Sequence, residues 1–247
     1  MPNRRDFIGW ATGSAVLPGC AMTTPLPAGE HARAFVGVIR KPVSLRYLVW
    51  VPEAADRPPA GWPLVIFLHG SGERGDELAK VKAHGPARYA AAGRKFPFVL
   101  VAPQLPEHQQ WDADALELLR ADLVARLPVD PDRVLLTGLS LGGYGAWSYA
   151  VAYPDRLAGI APVCGIGEPE RAAAIAKLPI WAFHGALDDE VPLAGDLAMV
   201  NAVRAVGGTV KFTVYPDVGH NAWDPAYADP ALYNWLLAQR RGQPARD

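Results

Sequence analysis

The sequence predicts an α/β fold, a mostly parallel twisted sheet with helices on both faces. Three observations lead there. Short apolar runs alternate with longer helix-like stretches along the chain, which is the pattern of βαβ units. The runs are continuous rather than alternating with polar residues, as strands covered on both faces require. The chain has 247 residues, half of them hydrophobic, which suits one substantial domain with its own core and is short for two.

Taken in order, residues 1–20 read as an export signal. Arg4 and Arg5 with Phe7 resemble a twin-arginine signal, and a mildly apolar run follows up to Leu17. Leu17, Pro18, Gly19 and Cys20 resemble a lipoprotein cleavage box, in which Cys20 carries the lipid. The expectation is therefore a periplasmic protein or a membrane-anchored lipoprotein, touching the membrane only through Cys20. The plainer alternative is an ordinary N-terminal helix. Residues 21–44 are a Pro-rich spacer and first strand region, 45–240 the α/β domain and 241–247 a tail. No apolar stretch is long enough to span a bilayer, and no internal repeat is visible.

Within the domain, residues 45–51 are rich in β-branched and aromatic residues and end at Pro52. Residues 64–68, 98–102, 134–137, 157–163 and 180–183 are the apolar strand candidates, with 211–215 as the last strand. Helices are expected over 112–127, 142–153, 193–206 and 230–239. In such sheets, functional groups gather beyond the carboxyl ends of the strands. A formal net charge of −1 without a long basic run argues against nucleic acid as a partner.

The chemistry begins at Gly138-Leu139-Ser140-Leu141-Gly142, between a strand and a helix. A serine at a sharp strand-to-helix turn exposes its hydroxyl, and the crowded turn calls for glycine two residues to either side. The following helix presents its N–H groups and dipole to a developing negative charge. Ser140 is thus the candidate nucleophile. Six histidines compete as its base. His31 lies in the spacer, His84 and His108 in loops upstream of the serine, and His69 and His184 end strands ahead of a glycine. Only His220 follows the last strand, where a loop can carry it over the nucleophile. The acid should come from the stretch after residues 180–183, where Asp188, Asp189 and Glu190 crowd together. Composition does not choose among them. Of the two cysteines, Cys20 and Cys164, the latter reads as a buried small hydrophobe, with a disulfide between them as the other option.

Four segments carry a family resemblance: Leu68 to Gly75, Gly138 to Gly143, His184 to Pro192 and Gly219 to Trp223. They resemble the phospholipase/carboxylesterase and dienelactone-hydrolase-like branch of the α/β-hydrolases, and within it bacterial secreted "predicted peptidase", polyhydroxybutyrate depolymerase and feruloyl esterase-like proteins. The resemblance implies an α/β-hydrolase fold and places the triad acid at Asp188. It implies oxyanion-hole N–H groups from Ser71 and Leu141. The expected reaction is ester hydrolysis by Ser140, His220 and Asp188 through an acyl-enzyme, rising with pH through roughly 6 to 7 as the base becomes neutral. Many relatives insert a cap between the fifth and sixth strands. Here residues 164–179 leave room for a loop and one short helix, so the expectation is an α/β-hydrolase with no cap domain and an open site for short acyl esters or polymer chains. Trp111, Tyr144 and Trp223 lie near strand ends as candidate substrate-binding aromatics, and Glu73 and Arg74 read as a structural pair near the oxyanion loop, with two solvated side chains as the alternative. A serine peptidase is the alternative enzyme, and a non-catalytic binder on a hydrolase scaffold the alternative class. No metal site, phosphate loop or dinucleotide fingerprint stands out, so no cofactor is expected. The expected assembly is a monomer or homodimer acting on an ester substrate.

Overall fold

The structure, a computed structural model, describes residues 42–246. The expected export signal, Cys20 and most of the spacer lie outside the described residues. Seven strands form one sheet among the described residues: β1 Arg46–Trp50, β2 Trp62–Leu68, β3 Val99–Gln104, β4 Val129–Leu139, β5 Gly159–Val163, β6 Ile180–Gly185 and β7 Val210–Tyr215. Their order is β1-β3-β2-β4-β5-β6-β7. Only β1 runs antiparallel, against β3; the remaining neighbours pair in parallel. The helices are α1 Gly85–Ala91, α2 Ala113–Arg126, α3 Leu141–Ala152, α4 Leu193–Ala205, α5 Trp223–Ala228 and α6 Pro230–Ala238.

The continuous apolar runs have a direct cause. Along β2, Leu64, Ile66 and Leu68 face one core with Val134 and Leu136, where Leu116 and Leu123 of α2, Trp147 of α3 and Val200 of α4 pack. Val65 and Phe67 face the opposite core with Leu135 and Leu139, closed by Ala87 of α1, Tyr227 of α5 and Leu232 of α6. A strand buried on both faces has no position for a polar residue to meet water. Each fully buried Leu or Phe contributes roughly 1.5–3 kcal/mol. The sheet is therefore a rigid platform, and the site is assembled on loops leaving its carboxyl edge.

The structure differs from the sequence-based expectation in three places. Strand β4 begins at Val129 rather than residue 134, because Trp62 pairs with Val129 ahead of a register shift. Helix α1 was not expected. A single helix after His220 was expected, but α5 intervenes before α6, with the break at Asp229 and Pro230. The Asp229 side chain accepts from the Ala231 N–H, and Pro230 opens the new helix, a strong start signal. Residues 164–179 hold only a 3₁₀ segment, Pro169–Ile175, and no cap domain. No helix among the described residues is long and apolar enough to cross a membrane.

Candidate active site

The turn at Ser140 is a consequence of packing. Strand β4 ends at Leu139 and α3 starts at Leu141, so Ser140 alone makes the reversal, at φ 51° and ψ −119°. A non-glycine residue there is strained by roughly 1–3 kcal/mol. Two backbone hydrogen bonds hold it: the Ser140 N–H donates to Val163 O at 2.9 Å, and the Tyr144 N–H to Ser140 O at 3.1 Å. The flanking glycines are required by close approach. A methyl group at Gly138 would lie 2.3 Å from Gly142 O, and one at Gly142 would lie 2.0 Å from Leu68 O.

His220 enters from the loop after β7. Its Nδ1 is 2.8 Å from Asp188 Oδ2 and its Nε2 is 2.9 Å from Ser140 Oγ. A carboxylate can only accept, so Nδ1 carries the hydrogen and Nε2 is left to accept from the Ser140 hydroxyl. Trp223 supports the imidazole edge-on, with ring centroids 5.1 Å apart. The Cys164 thiol donates to His220 O at 3.2 Å from below. Burial pushes that thiol up to about 12, so it stays protonated and unreactive, and Cys164 is a free, buried cysteine.

Asp188 sits in the loop between β6 and α4. Its Oδ1 accepts the Glu190 N–H at 3.0 Å and the Val191 N–H at 2.8 Å, leaving Oδ2 for His220. Burial works to raise the carboxyl, but His220 and these two N–H donors outweigh it and hold it below the usual aspartate value. Asp189 and Glu190 are exposed, although Glu190 Oε2 comes within 3.9 Å of His220 Nε2.

The loop after β2 lies beside Ser140, since a methyl group at Gly70 would come 3.6 Å from Ser140 Cβ. That loop is tied down on every side. The Gly70 N–H donates to Glu73 Oε2 at 2.9 Å. His69 Nδ1 is 2.6 Å from Gly70 O, and the Leu105 N–H donates to His69 Nε2 at 3.0 Å. Burial drives the His69 imidazole down to about 4, consistent with an acceptor nitrogen facing a backbone N–H. Ser71 starts the 3₁₀ turn Ser71–Glu73, and its carbonyl accepts from Arg74 Nε at 3.0 Å. Leu141 opens α3 at the other side of the turn. Glu73 and Arg74 therefore act separately in shaping this loop.

The three candidate aromatics fare differently. Trp223 stands between His220 and His84, the latter 5.5 Å away. Tyr144 is half-exposed one turn beyond Ser140. Trp111 is buried, its ring against the backbone of Gly145 and its indole N–H donating to His69 O at 3.2 Å. Its packing is that of a core residue.

Sequence reasoning passed over one pair. His184 Nδ1 is 3.0 Å from Asp196 Oδ2, and both side chains are fully buried. Asp196 lies in the first turn of α4, where an acid ordinarily reads as a helix-dipole partner; nothing local signals a buried ion pair. Cys164, His184 and Asp188 approach closely enough to suggest a metal cage. His184 Nε2 donates to Val191 O at 2.9 Å, Asp188 Oδ2 is engaged by His220 and the Cys164 thiol is held protonated, so the set is not prepared for a cation.

Comparison with known proteins agrees with this architecture. The profile of the Dienelactone hydrolase family matches residues 101–230. Poly(3-hydroxyalkanoate) depolymerase C of Paucimonas lemoignei is 28% identical over 73% of this chain and 45% of its own. A thermostable esterase of known crystal structure superposes with a TM-score of 0.69 and 30% identity, over 80% of this chain and 60% of that one. Esterase PE8 gives a TM-score of 0.57 and 25% identity, over 75% of this chain and 97% of that one. The chain spans 42%, 61% and 45% of three curated relatives that it matches.

Proposed function

The chain belongs to the dienelactone hydrolase family, and we propose that it is a serine hydrolase cleaving carboxylic esters through Ser140, His220 and Asp188. The carrying observation is the continuous hydrogen-bonded chain from Ser140 Oγ through His220 to Asp188, with contacts of 2.9 and 2.8 Å. His220 removes the hydroxyl proton as Ser140 attacks the acyl carbon, and Asp188 orients the imidazole and balances its charge. The oxyanion is assigned to the backbone N–H groups of Ser71 and Leu141. Losing one such donor typically lowers turnover about 100- to 1,000-fold. His220 returns that proton to the leaving oxygen, so the alcohol departs and an acyl-serine remains; neutral His220 then takes a proton from the attacking water and passes it to Ser140 Oγ as the acid is released.

A segment of residues 164–179 without a cap supports a substrate class of short acyl esters, or ester groups on a protruding polymer chain. The likeness to a polyhydroxyalkanoate depolymerase supports the same class. In this reading, Ser140→Ala lowers p-nitrophenyl acetate turnover by at least about 1,000-fold and abolishes labelling by a fluorophosphonate. A variant that keeps wild-type turnover overturns the proposal. A panel of p-nitrophenyl esters, feruloyl esters, polyhydroxybutyrate and aminoacyl-anilides then ranks ester against peptide chemistry.

A further inference from the structure

His184 is a buried group of this region that the proposed reaction does not use, and its surroundings place a hydrogen on Nε2. Nε2 is 2.9 Å from Val191 O, an atom that can only accept, so Nε2 carries a hydrogen. Asp188 Oδ2, the oxygen that receives His220 Nδ1, lies 3.3 Å from the same nitrogen. On the far side of the ring, Nδ1 meets Asp196 Oδ2 at 3.0 Å. That contact needs one proton between the two atoms, on either partner. Both groups are raised above their ordinary values. Burial opposes the His184 cation, but Asp196 and the Val191 carbonyl outweigh it; burial dominates at Asp196 and lifts it to about 6. Asp196 therefore acts as the fixture that keeps the Nε2–H of His184 turned toward the acid loop.

The peptide group of Val191 closes the arrangement. Its carbonyl accepts from His184, and its N–H donates to Asp188 Oδ1. His184 at the end of β6 and Asp196 in α4 thus clamp the loop that carries Asp188. Resting on the catalytic reading above, we propose that His184 is a positioning residue, whose Nε2–H holds Asp188 and the Val191 peptide so that Oδ2 stays aimed at His220.

Two amide side chains test this, because each reproduces one end of the imidazole. His184→Gln keeps a donor near Nε2, facing Val191 and Asp188. His184→Asn keeps one near Nδ1, facing only Asp196. The expected result is a kcat for His184→Asn lowered about 10- to 100-fold with little change in KM, as for misplacement of a catalytic group. His184→Gln should recover most of that loss. The acid limb of the pH–rate profile should also move to higher pH in His184→Asn, since an Asp188 that loses a donor binds the His220 proton more tightly. A role limited to core stability predicts parallel losses of melting temperature in the two variants with wild-type kcat and an unmoved profile, and that result overturns the proposal. So does a Gln variant slower than the Asn variant.

Where the His184 variants fail to fold, Asp196 carries the test. Asp196→Asn can still occupy Nδ1 and leave the hydrogen on Nε2, whereas Asp196→Ala frees the tautomer, so the Asn variant should keep several-fold more turnover than the Ala variant. Equal turnover in the two overturns the proposal. Ser140→Ala, assayed alongside, separates the layers. Activity surviving in Ser140→Ala removes the catalytic reading itself; an inactive Ser140→Ala beside a fully active His184→Asn removes only the role of His184.

Discussion

At the scale of single residues, the site depends on groups that orient rather than react. Glu73 is the clearest case outside the proposed triad, because its Oε2 holds the Gly70 N–H next to the proposed oxyanion donor Ser71. Glu73→Ala should lower kcat about 10- to 100-fold with KM little altered, measured on p-nitrophenyl acetate, since a loop misplaced by an ångström costs on that order. An unchanged kcat would show that the 3₁₀ turn holds its shape without the carboxylate. Ser140 and His220 were legible in the sequence because their spacing and chain order are dictated by the turn and by the last strand. Asp188 was legible only through the family resemblance, since three neighbouring carboxylates are alike in composition until the Glu190 and Val191 N–H groups select one of them. His184 and Asp196 were illegible for a different reason: the contact that pairs them spans β6 and α4 and has no local pattern.

At the scale of elements, what reads well from sequence is what burial on two faces imposes. The strand runs at 64–68 and 180–183 fall inside β2 and β6 because no polar residue can be accommodated there. Helices α1 and α5, with 7 and 6 residues, are too short to display a helical period, so their tertiary setting creates them. The junction of β4 and α3 is the least forgiving element. Gly142→Ala would drive a methyl group into the Leu68 carbonyl, forcing α3 away from β2. The expected outcome is a loss of about 3 kcal/mol in urea unfolding, at the upper end of overpacking costs, together with loss of fluorophosphonate labelling. A variant as stable as the wild type would mean that the helix slides freely on the sheet.

At the scale of the whole molecule, acid sensitivity follows from His69. Its folded-state value is depressed from 6.5 to about 4, so its contribution to stability is fully present above 6.5 and is lost as pH falls through that window. The difference amounts to about 3 kcal/mol at 1.36 kcal/mol per unit. His69→Asn can keep a donor toward Gly70 O but does not titrate. The stability advantage of wild type over this variant should therefore shrink by about 3 kcal/mol between pH 7 and pH 4 in urea melts, whereas Asp196, which titrates in the opposite sense, cancels between the two proteins. An advantage that stays constant with pH would contradict the assignment. Stability and chemistry also meet at one backbone position. Ser140, at φ 51°, occupies a conformation that glycine adopts without penalty. A selection for durability alone would place glycine there and delete the proposed nucleophile. On the proposed reaction, thermal robustness must therefore be raised elsewhere, because relieving the strain at this position removes the serine that the reaction requires.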